Sequence, residues 1–216
     1  MTYAYFPSCQ FTALMPGVSA RIRDYMASRG AAVMGCCRKD HARFSGTPVT
    51  ICQTCRIIIE ENHPGSDGIS LWEAVDADPD FPFPDCSGMT VTVQDCYRAR
   101  GRETERAAVR SLLKKLGIRT VELPGTEEEL SFDGAWLYRP VMPGNLHLAP
   151  RRFGEIAKDI CPLPEEEITA RLKRYCRRFT TDTVVCTCRA CLLGLRTGLP
   201  EGSRALHLAE LLFPEG

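Results

Sequence analysis

No stretch of the sequence approaches the roughly 18 uninterrupted apolar residues of a membrane-crossing helix, so no bilayer span is expected. Charge of either sign is not in excess: lysine plus arginine and aspartate plus glutamate number 27 each. With no net field, attraction to nucleic acid is not expected either. A phosphate-cradling loop, a glycine-rich dinucleotide fingerprint and a nucleophile elbow are all missing. The opening Met1 to Pro7 lacks the basic region and longer apolar run of a secretory signal, so the expected location is the cytoplasm.

What the sequence holds in quantity is cysteine, 12 in 216 residues. In a reducing compartment such density points to metal or catalysis more than to disulfides. The densest set is Cys9, the adjacent pair Cys36-Cys37, and the CxxC unit Cys52-Cys55. A second set, Cys96 and the CxxC unit Cys188-Cys191, reads as a worn copy of the first.

The copy extends beyond cysteine. Cys9 to Gly30 places Val18, Ile22, Tyr25 and Met26 on one helical face, with Pro16 suited to the first turn and Gly30 to the C-terminal cap. Cys96 to Gly117 has the same length, with Ala108, Leu112, Leu113 and Leu116 on its face. Val49–Cys55 parallels Val185–Cys191, and Leu71–Val75 parallels Leu208–Leu212. Between the halves, Pro79-Asp80-Phe81-Pro82-Phe83-Pro84 is too proline-rich for helix or central strand. The expected organisation is therefore a first repeat over 1–78, a linker over 79–88 and a second repeat over 89–216. Each half reads strand, helix, strand, variable arm, strand, helix, the recipe of an α/β fold with a parallel sheet. Two pseudo-symmetric lobes are expected. In the second half the arm is long, about Leu123 to Thr183, with a predicted helix from Glu165 to about Arg178.

In the first half each cysteine follows a predicted strand, which is the carboxyl edge where open α/β sheets put their ligand sites. Cys55 lies one helical turn beyond Cys52, at a helix start whose partial positive charge favours thiolate. Five sulfurs exceed the four of a tetrahedral zinc, whereas iron–sulfur clusters share cysteines among several irons. Adjacent cysteines diverge in extended chain and suit two irons better than one. The expected cofactor ligands are thus Cys9, Cys36, Cys37, Cys52 and Cys55.

At Phe6-Pro7-Ser8-Cys9, Cys36-Cys37, Cys52-Gln53-Thr54-Cys55, Asp95-Cys96-Tyr97, Cys188-Arg189-Ala190-Cys191 and Leu206–Leu212, the chain resembles the cysteine-rich CCG family. That family includes the cysteine-rich subunit of heterodisulfide reductase and the iron–sulfur subunits of lactate and glycolate oxidoreductases. The resemblance implies a [4Fe-4S] cluster, in some members a non-cubane form on five cysteines. It also implies electron transfer or disulfide reduction inside an oxidoreductase complex, with a flavin- or ferredoxin-like partner and a thiol or disulfide substrate. The second half departs from the pattern. Leu123-Pro124 falls where the second cysteine pair belongs, leaving Cys96, Cys188 and Cys191. A fourth ligand, for an ordinary iron–sulfur cluster or a zinc ion, is open to Cys161, Cys176 or Cys186, although Cys186 alternates away from Cys188 along its strand and Cys176 lies on an apolar helical stripe, so both read as core. A zinc-stabilised interaction protein and an iron–sulfur sensor or carrier are the other functions this pattern allows. Arg38, Lys39, His41 and Arg43 stand near the first set, and Arg98 to Arg110 form a cationic run read as a solvated face.

Overall fold

Short runs rich in β-branched and aromatic residues alternate with helical stretches, and a strand that returns through a helix pairs in parallel. The computed structural model describes residues 2–125 and 131–215. Its first half runs β1 (Tyr3–Phe6), α1 (Cys9–Leu14), α2 (Pro16–Ser28), β2 (Ala32–Val33), α3 (Cys37–Asp40), β3 (Thr47–Thr50), α4 (Gln53–Asn62), β4 (Ile69–Ser70) and α5 (Leu71–Asp76). The second half runs β5 (Thr90–Gln94), α6 (Glu103–Lys115), β6 (Arg119–Val121), α7 (Pro143–Leu148), α8 (Pro150–Lys158), α9 (Glu165–Cys176), β7 (Thr183–Cys186), α10 (Arg189–Gly198), β8 (Arg204–His207) and α11 (Leu208–Leu212). Residues 126–130 of the predicted arm, with Met1 and Gly216, lie outside the described residues. Among the described residues no helix is long and apolar enough to cross a membrane.

The strands form two four-stranded parallel sheets with the same internal order, β2-β1-β3-β4 and β6-β5-β7-β8. The fold is α/β in two lobes, with Cys9, Cys36-Cys37, Cys52, Cys96 and Cys188 just beyond the carboxyl ends of strands. The repeat pattern gives three strands to each half; each sheet adds a fourth at its edge, of which the one ending at His207 is expected from the sequence and β4 is not. These edge strands, β4 and β8, end in residues that cap the next helix. Ser70 accepts from the Glu73 N–H while Glu73 accepts from the Ser70 N–H, at 3.2 and 2.7 Å. His207 takes the same place before α11: its N–H donates to Glu210 at 2.7 Å and its Nδ1 accepts from Ala209 at 3.3 Å. These reciprocal caps satisfy backbone donors that a short helix leaves free.

Central strands are buried on both faces, as crossover helices require. Tyr5, Val49, Val184 and Val185 are fully covered, and one apolar core runs through both lobes from Ile22 and Trp72 to Leu112 and Leu192. The arm of the second half then turns back over the first lobe. Phe153 of α8 and Ala149 before it pack with Phe6 and Ile58. Glu61 of α4 accepts from the N–H groups of Arg151 and Arg152 at 2.9 and 2.8 Å, so a first-lobe carboxylate caps an arm helix.

A buried ion network also joins the halves. Arg56 of α4 pairs with Glu60 at 2.8 Å and with Glu105 of α6 at 2.9 Å. Glu60 holds Arg102 at 2.8 Å and Arg152 at 2.6 Å. The Glu105 side chain is only 2% exposed. Its burial pushes the carboxyl from the ordinary 4.5 up to about 7, against the pull of Arg56. The folded chain therefore holds this proton more tightly than the unfolded chain does. The stabilisation is complete below about pH 4.5 and is lost as pH rises through about 7. Glu105→Gln removes the titration. Urea unfolding across this window should show a wild-type decline steeper than the variant's by on the order of 3 kcal/mol. Parallel profiles would refute the assignment.

Candidate metal centres

The second lobe builds the more compact centre. Cys96 follows β5, Cys188 leaves β7 as the residue capping α10, and Cys191 sits one turn into that helix. The fourth member is Asp133, from the arm. Its position depends on two glycines. A Cβ on Gly134, whose φ is +57°, would lie 2.1 Å from the Ala190 carbonyl oxygen, and one on Gly194 would lie 2.4 Å from the Gly134 Cα. Only a crossing without side chains lets the arm backbone rest on the start of α10. That contact delivers the Asp133 carboxylate to the thiols.

One donor atom from each of Cys96, Asp133, Cys188 and Cys191 lies within 4.8 Å of all the others, and all four groups are buried. Asp133 Oδ1 is 3.5 Å from the Cys96 sulfur and 3.8 Å from the Cys188 sulfur. A tetrahedral ion with metal–sulfur bonds of about 2.3 Å spaces its donors roughly 3.8 Å apart. The quartet therefore has the size of a single-ion site, while a cluster whose thiolates reach different irons spreads them wider. Three thiols and a carboxylate are a donor set that suits zinc or iron(II).

Charge is unevenly shared here. Hydrogen bonds from Cys191 and Cys96 hold the Cys188 thiol well below its usual range, against burial. Burial pushes Cys191 well above its own range, and the proton Cys96 shares with Cys188 raises Cys96. Asp133 is driven up to about 7 by burial, opposed by Arg98. Arg98 Nε pairs with Asp133 Oδ2 at 2.7 Å, with side chains 8% and 2% exposed. The run from Arg98 to Arg110 is thus not simply a solvated face: its first member is interior, because a buried carboxylate requires a countercharge.

The five first-lobe thiols converge differently. Cys9 lies within hydrogen-bonding reach of Cys36, Cys36 of Cys37, Cys37 of Cys55, and Cys55 of Cys52. They form a string of neighbours, and among the described residues only the second-lobe quartet meets the mutual 4.8 Å spacing. Cys52, which caps α4 as Cys188 caps α10, is drawn down to about 6, chiefly by a hydrogen bond from Cys55. Ser8, beside Cys9, holds a φ of +60° and also reaches Cys52. A non-glycine residue in that region is strained and marks a constrained turn.

Both centres border one crevice of about 670 Å³ between the lobes. Cys9, Cys37, Cys52 and Cys55 line it from one side and Cys188 from the other. Four arginines reach it, Arg38, Arg189 and the ion-paired Arg98 and Arg139, and among the described residues no carboxylate lines it. The first turns of α4 and α10 both front it, adding the partial positive charge of two helix starts. The crevice is built to favour anions, thiolates included.

None of the three cysteines open as a fourth ligand joins this set, and the core reading of Cys176 and Cys186 agrees with their burial. Cys161 is exposed on the arm. Cys176 packs where α9 crosses Gly198 of α10 and is core filler. Cys186 points away along β7, its sulfur 3.7 Å from the Cys188 carbonyl oxygen. Asp133 supplies the donor instead. Its only sequence signal is an acidic residue between Phe132 and a glycine, inside the arm that replaces the second cysteine pair. No family model, curated protein or solved structure matches the chain.

Gly134→Ala should displace the arm and destabilise the chain by about 2 kcal/mol or more. Gly154→Ala, in α8 with nothing within 4 Å of an added Cβ, should instead stabilise by roughly 0.5–1 kcal/mol. Chemical denaturation of the two variants checks both signs.

Proposed function

We propose that this chain is a metal-binding redox protein with two centres of different size. The carrying observation is the buried cysteine–aspartate quartet, whose donor spacing is that of one bound ion. In this reading the second lobe holds a single structural ion, and the first lobe holds an iron–sulfur cluster on Cys9, Cys36, Cys37, Cys52 and Cys55. The string of neighbouring first-lobe thiols supports the larger centre, and so does the resemblance to the CCG family. A cluster would supply one-electron chemistry at the crevice. The chain's own contribution is the anion-favouring wall: Arg38 and Arg189, with the starts of α4 and α10, stabilise the more negative state and so raise the reduction potential. Partner chains of flavin or ferredoxin type exchange electrons with the crevice, since the sequence carries no nucleotide-binding loop.

Iron, acid-labile sulfide and zinc measured on anaerobically purified protein test the reading. Brown protein with equal iron and sulfide is expected, together with one further metal ion per chain. Cys37→Ser should lose most of the iron and sulfide yet keep the further ion, and Asp133→Ala should do the reverse. Colourless protein holding only zinc would replace this function with that of a zinc-stabilised interaction module.

A further inference from the structure

The two centres are connected by three side chains. Asp133 turns Oδ1 toward the second-lobe thiols, at 3.5 and 3.8 Å, and offers Oδ2 to Arg98 Nε at 2.7 Å. Arg98 reaches onward: its Nη1 donates to Thr54 Oγ1 at 2.6 Å. Thr54 lies between Cys52 and Cys55 in the first turn of α4, within the ligand loop of the other lobe. The Trp136 ring lies 5.4 Å from the same guanidinium and helps to enclose it.

A guanidinium is planar and presents its donors at fixed angles, so it cannot follow one partner without moving relative to the other. Groups that hold a ligand from outside typically set metal affinity by roughly 10- to 100-fold. Here the outer group of one centre is also a hydrogen-bond partner inside the ligand turn of the other. We propose that metal occupancy of the second centre orders the Cys52–Cys55 turn of the first through Asp133, Arg98 and Thr54. Arg98 is a positioning residue for both centres. The coupling is reciprocal, because a free energy linking two binding events acts equally on each. The inference rests on the reading that the quartet holds a metal ion.

Cobalt(II) added anaerobically to chelator-treated full-length protein is the probe. Thiolate-to-cobalt charge-transfer absorption reports binding, and amide hydrogen exchange across residues 52–56 reports the first-lobe turn. In wild type, one equivalent should bind and slow exchange in that turn about tenfold. Thr54→Val, which preserves shape and keeps all four second-centre donors, should still bind one equivalent of cobalt, weakened by no more than the roughly tenfold coupling, and lose the slowing. Arg98→Lys keeps the charge but lacks the fork; it should bind roughly 10-fold more weakly and also lose the slowing. If both variants retain full slowing, cobalt acts on the first-lobe thiols directly and the coupling is overturned while metal binding stands. If wild type shows no charge-transfer band, or Asp133→Ala leaves the band unchanged, the quartet itself is refuted as a metal site.

Discussion

A carboxylate with 2% of its side chain exposed, set among three thiols, is a costly arrangement that the surrounding structure must compensate. Burial strips the carboxylate of hydration and sets it beside the acidic Cys188 thiol, so its charged form is tolerable only with a countercharge close by. The local structure follows from that need. Arg98 leaves the surface run of its neighbours to pair with Asp133. The arm gives up Cβ atoms at its crossing with α10, and the start of α10 turns its partial positive charge toward the thiols. Asp133 lies on the same arm that closes over the first lobe, so the backbone that completes the centre also braces the fold.

The two lobes repeat one topology but not one chemistry. Cys52 and Cys188 hold equivalent places, each capping a ten-residue helix after a buried parallel strand, and each is held below the usual thiol range. The sets diverge at the arms. In the first half a tight turn carries Cys36-Cys37 and adds two sulfurs in series. In the second a long excursion returns one oxygen. Exchanging two adjacent thiols for a single carboxylate shrinks the donor set to the dimensions of one ion.

The lobes are held in register by contacts that do not depend on any metal. The shared apolar core and the Arg56–Glu105–Glu60–Arg102 network both cross the boundary, and Arg152 of the arm joins the network at Glu60. These contacts keep the crevice between the lobes narrow enough that one arginine spans it. A buried network of this kind contributes less to net stability than to geometry, since the desolvation of each ion offsets much of its attraction.

The two-lobed α/β plan and the place of the ligand cysteines beyond strand ends were legible without coordinates because each rests on local rules: two-residue and 3.6-residue periodicities, glycine and proline punctuation, and the carboxyl-edge habit of parallel sheets. The edge strand β4 was not, since two residues carry too little pattern. Asp133 and the interior place of Arg98 were illegible for a different reason. An aspartate in a turn-rich arm and an arginine in a basic run look like surface until distant segments are packed together. The identity of the thiols was written in the sequence itself. Which oxygen joins three of them, and which cation steadies it, was decided by the arm's close approach to α10, a long-range contact that local propensity does not encode.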